Sequence, residues 1–112
     1  MKQINQGDIY MADLNPVKGH EQSGSRPVLI LQSNVLNHNL NTVIIAPITS
    51  NLQTKGFLTT FHLKASVSKL PKESVALLFQ LRTLDKRRLQ KEMGHVSAKE
   101  FSKVKMKLGR LF

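Results

Sequence analysis

The chain contains no cysteine and no tryptophan. Without cysteine it can hold no disulfide, no thiolate nucleophile and no Cys-ligated zinc. No apolar run approaches the roughly 20 residues that a membrane-spanning helix needs. The first ten residues interleave Lys2, Gln3, Asn5, Gln6 and Asp8 with apolar positions. A secretory signal needs a continuous apolar stretch there, so a cytoplasmic location is the expectation. Acids are equally scarce: Asp8, Asp13, Glu21, Glu73, Asp85, Glu92 and Glu100 are all there are. No two of them sit at ligand-like spacing on one expected element, whereas two-metal catalysis needs several carboxylates converging on its cations. His20, His38, His62 and His95 fall in separate segments, with no i, i+4 pair of the kind zinc favours. His62 and His95 read as exposed or satisfied structural residues. No phosphate-cradling GxxxxGK[ST] loop occurs. These absences lead to an expectation of no metal and no cofactor.

What the chain does have is positive charge. Its 112 residues carry 17 Lys and Arg, for a net charge of +10. The first fifty residues sum to zero, whereas residues 51–112 hold 14 basic and 4 acidic side chains. A basic half of this kind suits a polyanion (nucleic acid, an acidic protein or a membrane surface), or else is simply a solvated basic surface. Binding of a polyanion through it is expected to be salt-sensitive. The length corresponds to one domain over residues 1–112. With 40% apolar residues an independent core is feasible.

Alternating and continuous apolar patterns outline the elements. Ile9 to Leu14 reads as a strand with two usable faces. Asn15 to Ser25 is a polar loop, long for a compact domain, and such loops are often functional. Pro27 to Leu31 and Val43 to Ile48 are continuous apolar runs and read as central strands covered on both faces. Asn34 to Asn41, rich in Asn, reads as a turn-rich loop with room for a helical turn. Ser50 to Gly56 is another polar loop. Phe57 to Leu63 and Ser74 to Leu81 read as strands, and Leu84 to Gln90 as a short helix or helical turn. The clearest element is last. Ser97 and Glu100 form a capping-box pattern, and Phe101, Val104, Leu108 and Leu111 follow at helical spacing. The basic face of that helix has two readings, a surface for RNA or an acidic partner, or the solvated side of a helix that caps the core. Several strands with one strong terminal helix predict an α+β fold around a small, strongly curved sheet or barrel.

With metal chemistry disfavoured, RNA is the polyanion that supplies its own nucleophile, the 2′-hydroxyl. A protein then has to orient it, move two protons and stabilise charge on phosphorus. A guanidinium fork matches phosphate geometry. Arg26 stands where the long loop enters a buried strand. Thr49 and Ser50 lie just past the second buried strand, where hydroxyls can bond a phosphate oxygen. The competing readings are a strand-end salt bridge for Arg26 and a loop-capping turn for Thr49.

Three segments carry a family resemblance. Gly7-Asp8-Ile9-Tyr10, followed by Gly19-His20-Glu21-Gln22-Ser23-Gly24-Ser25-Arg26-Pro27-Val28, resembles the opening of MazF/PemK-type toxins. Pro47-Ile48-Thr49-Ser50 resembles that family's second signature. Leu78-Phe79-Gln80-Leu81-Arg82-Thr83-Leu84-Asp85-Lys86, with Arg88-Leu89, resembles its third, and Gly94 and the terminal helix fit its ending. The resemblance runs from about residue 6 to residue 110. It implies a small SH3-like β-barrel with short helices, working as a homodimer. It also implies a sequence-specific, metal-independent endoribonuclease that cuts single-stranded RNA, leaving a 2′,3′-cyclic phosphate and a 5′-hydroxyl. The implied partner is an antitoxin whose acidic C-terminal segment covers the RNA groove. Carried over by position, Arg26 and Thr49 match the catalytic pair. Glu21 and Gln22 belong to the loop that closes near substrate, and Gln80 and Arg82 line the RNA groove. Ser50 is a further candidate RNA contact. His20 replaces a small hydroxyl residue, and is either a donor to RNA or a tolerated loop substitution. An alternative from another class is a CcdB-like toxin on the same scaffold that binds a topoisomerase and cleaves nothing.

Overall fold

The computed structural model describes residues 3–16, 19–21 and 24–112. Seven strands are present: β1 (Asp8–Asp13), β2 (Ser25–Ile30), β3 (Thr42–Thr49), β4 (Thr60–Leu63), β5 (Ser74–Leu77), β6 (Arg82–Asp85) and β7 (Leu89–His95). Two short helices, α1 (Asn34–Asn37) and α2 (Ala65–Ser68), join them, and α3 (Ala98–Gly109) closes the chain. All pairings are antiparallel, in the order β4-β5-β3-β2-β1-β7, with β6 also on β3.

β3 is the centre of this arrangement. One of its edges pairs with β2, from Val28↔Pro47 to Ile30↔Ile45. The other edge is used twice, by β6 opposite Thr42–Ile45 and by β5 opposite Ile48 and Thr49. β6 and β7 are joined by a 3-10 turn, Lys86–Arg88, and β7 returns to pair with β1. The strands β7-β1-β2-β3-β6 therefore curl into a small barrel. Side chains alternate across each strand. One set fills the barrel: Tyr10, Ala12, Leu14, Val28, Ile30, Val43, Ile45, Leu84 and Leu89. The other set, including Ile9, Leu29, Ala46 and Ile48, forms a second core outside it, beneath the β4–β5 hairpin and α3. This explains the two continuous apolar runs: β2 and β3 have a core on each face.

α3 follows its sequence pattern. Phe101 and Val104 are buried, and Leu108 and Leu111 pack against the outer core. Ser97 Oγ accepts from the Glu100 N–H at 3.2 Å, while the Glu100 carboxylate takes Lys103 Nζ at 2.7 Å. The Asn-rich connection contains the helical turn α1, stabilised by a buried amide pair. Gln32 Nε2 donates to Asn37 Oδ1 at 3.0 Å, and Asn37 Nδ2 donates back to the Gln32 carbonyl at 2.8 Å. Gly7, at φ +91°, donates to the Ile30 carbonyl and accepts from Val96, in space where a Cβ would lie 2.8 Å from the Val96 oxygen.

Three expectations need correction. The strand expected from Phe57 begins only at Thr60, because the Thr60 hydroxyl and N–H turn back onto the carbonyls of Thr54 and Phe57. Phe57 and Leu58 are left 54% and 66% exposed. The strand expected over Ser74–Leu81 stops at Leu77 and becomes a 3-10 turn, Leu78–Gln80. That turn is the step by which the chain moves from one half of the β3 edge to the other. The helical turn expected in Leu84–Gln90 is confined to Lys86–Arg88, and the strand β7 follows it. β7 escaped the pattern because its register against β1 is irregular at two places, which breaks alternation.

Gly94 sits where β7 passes α2, and a Cβ there would lie 2.2 Å from the Ser68 carbonyl oxygen. Backbone cannot yield as a side-chain tip can. Gly94→Ala is expected to cost about 1–3 kcal/mol. Gly109→Ala, with nothing within 4 Å of the added Cβ, should be neutral or stabilising. Thermal melts of the two variants check this contrast.

Candidate RNA-cleavage site

The long loop after β1 is closed at its base by the backbone. The Leu14 N–H donates to the Gly24 carbonyl at 3.0 Å, and the Gly24 N–H to Asn15 Oδ1 at 3.1 Å. Two arginines from the far end of the chain hold the same place. Arg82 Nη1 donates to the Leu14 carbonyl at 3.0 Å, and Arg88 Nη1 donates to the carbonyls of Asp13 and Asn15. Guanidinium donors on carbonyls are charge-assisted and directional, so they fix where the loop leaves the barrel. Beyond this base the backbone passes Gly19, His20 and Glu21, all exposed. Gln22 lies outside the described residues.

Arg26 re-enters the fold on β2, opposite Ala12 of β1, and is half-buried. Alternation places it on the same face as Val28 and Ile30, which fill the barrel. Thr49 ends β3 on the face shared by Val43 and Ile45. The β2–β3 ladder stops at Val28↔Pro47. Carried two residues further, the same register sets Arg26 opposite Thr49 at the rim of the barrel. Arg26 and Thr49, 23 positions apart in the chain, thus stand at the ends of two paired strands.

The hollows at this rim divide the candidates. A cavity of about 480 Å³ is lined by Arg26 and Ser50, with Met11, Pro27, Ile48, Lys72 and Ser74 among the other residues. A smaller one of about 140 Å³ holds Thr49 with Asn51, Gln53, Thr54, Leu77, Phe79 and Gln80. Ser50 thus joins Arg26, and Gln80 joins Thr49. His20 and Glu21 line neither cavity, and Arg82 is engaged at the loop base. Thr49 Oγ1 accepts from the Asn51 N–H at 3.1 Å, the local turn bond expected for a hydroxyl past a strand end. That bond uses one lone pair and leaves the O–H able to donate. Sequence reasoning missed Lys72 and Ser74 in the larger cavity. Lys72 comes from the connection before β5 and Ser74 is the first residue of β5, which the shared β3 edge brings alongside.

Charge nearby is arranged in pairs. Glu73, between Lys72 and Ser74, accepts from His62 Nε2 and lies 3.2 Å from Lys55 Nζ. Hydrogen bonding from Lys55, then from His62, holds its carboxyl below the usual carboxylate range. Asp85 is lowered by its bonds from Arg87, which anchor the 3-10 turn before β7. Among the described residues no three His, Asp or Glu side chains come together as a metal site would require. His62 is satisfied by Glu73, and His95 is exposed at the end of β7.

The structure is a small α+β domain, a curled antiparallel sheet with a loop held at its base by two arginines. The chain belongs to the family of PemK-like, MazF-like toxins of type II toxin–antitoxin systems, whose sequence model matches residues 5–112. It is 44% identical over 101 residues to an endoribonuclease MazF of Staphylococcus saprophyticus, covering 90% of this chain and 84% of that one. Its fold is similar to a crystal structure of MazF from Deinococcus radiodurans, with TM-score 0.81 at 28% identity over 99% of this chain and 97% of the other. A MazE–MazF structure from the same organism gives TM-score 0.75 at 28% identity, over 99% and 96% of the two chains. The α+β expectation and the family resemblance agree with these findings.

The depressed Glu73 carboxyl has a consequence for stability. A carboxylate lowered by folding contributes stability above its unfolded value and loses it as pH falls through its folded value. Melting midpoints measured from neutral to about pH 3 should therefore fall more steeply for the natural chain than for Glu73→Gln. Parallel curves would show that the Lys55–Glu73–His62 cluster is not coupled to folding.

Proposed function

We propose that this endoribonuclease toxin, a single toxin domain over residues 1–112, cuts single-stranded RNA without a metal. The 2′-hydroxyl attacks the adjacent phosphorus. Its proton is removed, the O2′–P bond forms and the P–O5′ bond breaks. The 5′ oxygen takes up a proton, leaving a 2′,3′-cyclic phosphate and a 5′-hydroxyl. Arg26 stabilises the charge that builds on the phosphorane oxygens and hydrogen-bonds the leaving 5′ oxygen, to which a water supplies the proton. Guanidinium groups stay protonated in proteins, so removing the nucleophile's proton is not its role. Thr49 orients the phosphate through its hydroxyl.

The observation that supports this reading is the pairing of β2 with β3, at whose ends Arg26 and Thr49 stand in a chain of this family. Ser50 and Gln80 extend the contact surface, one from each cavity. His20, Glu21 and Gln22 belong to the loop that meets RNA over this rim. Arg82 supports that loop from its base, and its RNA role is as much positioning as contact.

Partners follow from the same chemistry. A structure of similar fold is of an endoribonuclease in complex with its cognate antitoxin from a mycobacterial species. For this chain we propose a cognate antitoxin whose acidic C-terminal segment competes with RNA for the basic groove. We also propose a homodimer in the cytoplasm. The CcdB-like alternative, a toxin that binds a topoisomerase, finds no support in the relatives described above and is not carried forward.

Arg26→Ala should reduce cleavage of a long single-stranded RNA in EDTA by about a hundredfold or more, the scale of losing one charge-stabilising donor. Arg26→Lys should recover only part, since it restores charge but not the planar fork. Full activity of a folded Arg26→Ala would remove the arginine from the mechanism.

A further inference from the structure

Away from Arg26, a third hollow of about 350 Å³ opens between β4 and α3. Its charged lining is Lys64, Lys103 and Lys107, with His62 beside them and Glu100 as the one carboxylate. Glu100 is occupied by Lys103 at 2.7 Å, and Glu73 meets His62 and Lys55. Three lysines against one carboxylate leave the cleft positive. Lysine is a compact point charge on a flexible stem, suited to phosphate without regard to base sequence.

A hydrogen-bonded path connects this cleft to the cavity that holds Thr49. Lys107 Nζ donates to the Phe57 carbonyl at 3.2 Å. The Thr60 N–H donates to that same carbonyl, and the Phe79 N–H to the Thr59 carbonyl at 3.2 Å. Phe79 is in turn part of the Thr49–Gln80 cavity. Along this path lie Phe57 at 54% and Phe79 at 49% exposure. Singly exposed aromatics are common on protein surfaces, but these two lie along a path that ends at Lys107, and a ligand with both flat faces and negative charge would use both features. Single-stranded RNA has both: bases stack on aromatics while the backbone follows lysines.

We infer that the RNA strand continues from the Thr49 cavity across Phe79 and Phe57 to the Lys64–Lys103–Lys107 cleft, which holds backbone phosphates remote from the cut. This extended subsite rests on the ribonuclease reading. It makes α3 part of the substrate track as well as the lid of the outer core. An acidic peptide would be drawn by the same lysines, whereas stacking of bases on the two phenylalanines is particular to RNA.

The test compares two RNAs that share one cleavage sequence, of about six and about twenty nucleotides, since tracks of this kind span about 4–16 nucleotides. The quantity read is the ratio of kcat/KM for the long RNA to that for the short one. In the natural chain the long RNA should be favoured. The triple variant Lys64→Ala/Lys103→Ala/Lys107→Ala should lower the ratio about tenfold and flatten its salt dependence. Phe57→Ser/Phe79→Ser, which alters only exposed side chains, should lower it as well, and serves if the lysine variant fails to fold by circular dichroism. A natural chain that cuts both RNAs, with a ratio unmoved by either variant, overturns this inference alone. A natural chain that cuts neither overturns the ribonuclease reading and this inference with it. If the lysine variant loses affinity for a poly-glutamate probe while the ratio holds, the cleft belongs to an acidic protein and the RNA assignment falls.

Discussion

The double use of one edge of β3 is the constraint on which the rest of the structure depends. Eight residues, Thr42–Thr49, give one edge to β2 and divide the other between β6 and β5. Both faces of this strand are covered as well, one by each core, and its composition follows. Val43, Ile45, Ala46 and Ile48 are buried, in alternation between the barrel core and the outer core. Each fully buried aliphatic side chain contributes about 1.5–3 kcal/mol, so this strand ties both cores into one cooperative unit. The same arrangement ends β3 at Thr49, where the barrel stops, and brings the segment around Ser74 alongside. The site at the rim is a by-product of how the strand is shared.

The rim also shows a separation between groups that act and groups that position. Arg26 is half-buried on a strand whose register is set by a core on each face, and a one-residue slip would carry it to the opposite face. The loop beside it has no such register. Its geometry comes instead from Arg82 and Arg88, whose guanidinia hold the carbonyls of Leu14, Asp13 and Asn15. A strand thus fixes the guanidinium at the rim, and the loop beside it is fixed only at its base.

Much of this was legible in the order of residues because it is local. Continuous apolar runs marked β2 and β3, and Ser97, Glu100 and the spacing of Phe101, Val104, Leu108 and Leu111 marked α3. Arg26 and Thr49 could be singled out because each stands at the end of such a run. What stayed hidden depends on distant pairing. β7 has irregular register against β1, so its alternation is broken. Phe57 and Leu58 continue a strand-like pattern, but Thr60 closes a turn on Thr54 and Phe57 and leaves them exposed. The tether from Arg82 to Leu14 spans 68 positions, and no spacing rule reaches that far. The third signature segment pointed to Arg82 without showing that its guanidinium is engaged at the loop base.

The distribution of charge follows from the same division of labour. α3 is required to cover the outer core, so Phe101, Val104, Leu108 and Leu111 are committed to packing. Its remaining faces are in water, where the choice of side chain costs folding little. Lysines there can be accumulated without disturbing the barrel, and residues 98–112 carry five basic side chains against Glu100, +4 of the net +10. At the rim the opposite holds. Arg26 must fit between strands, so charge there is limited to what the register can place. A chain built this way can strengthen its attraction for a polyanion by changing α3 and leave the rim geometry untouched. It cannot relocate Arg26 without rebuilding the strand that holds both cores together.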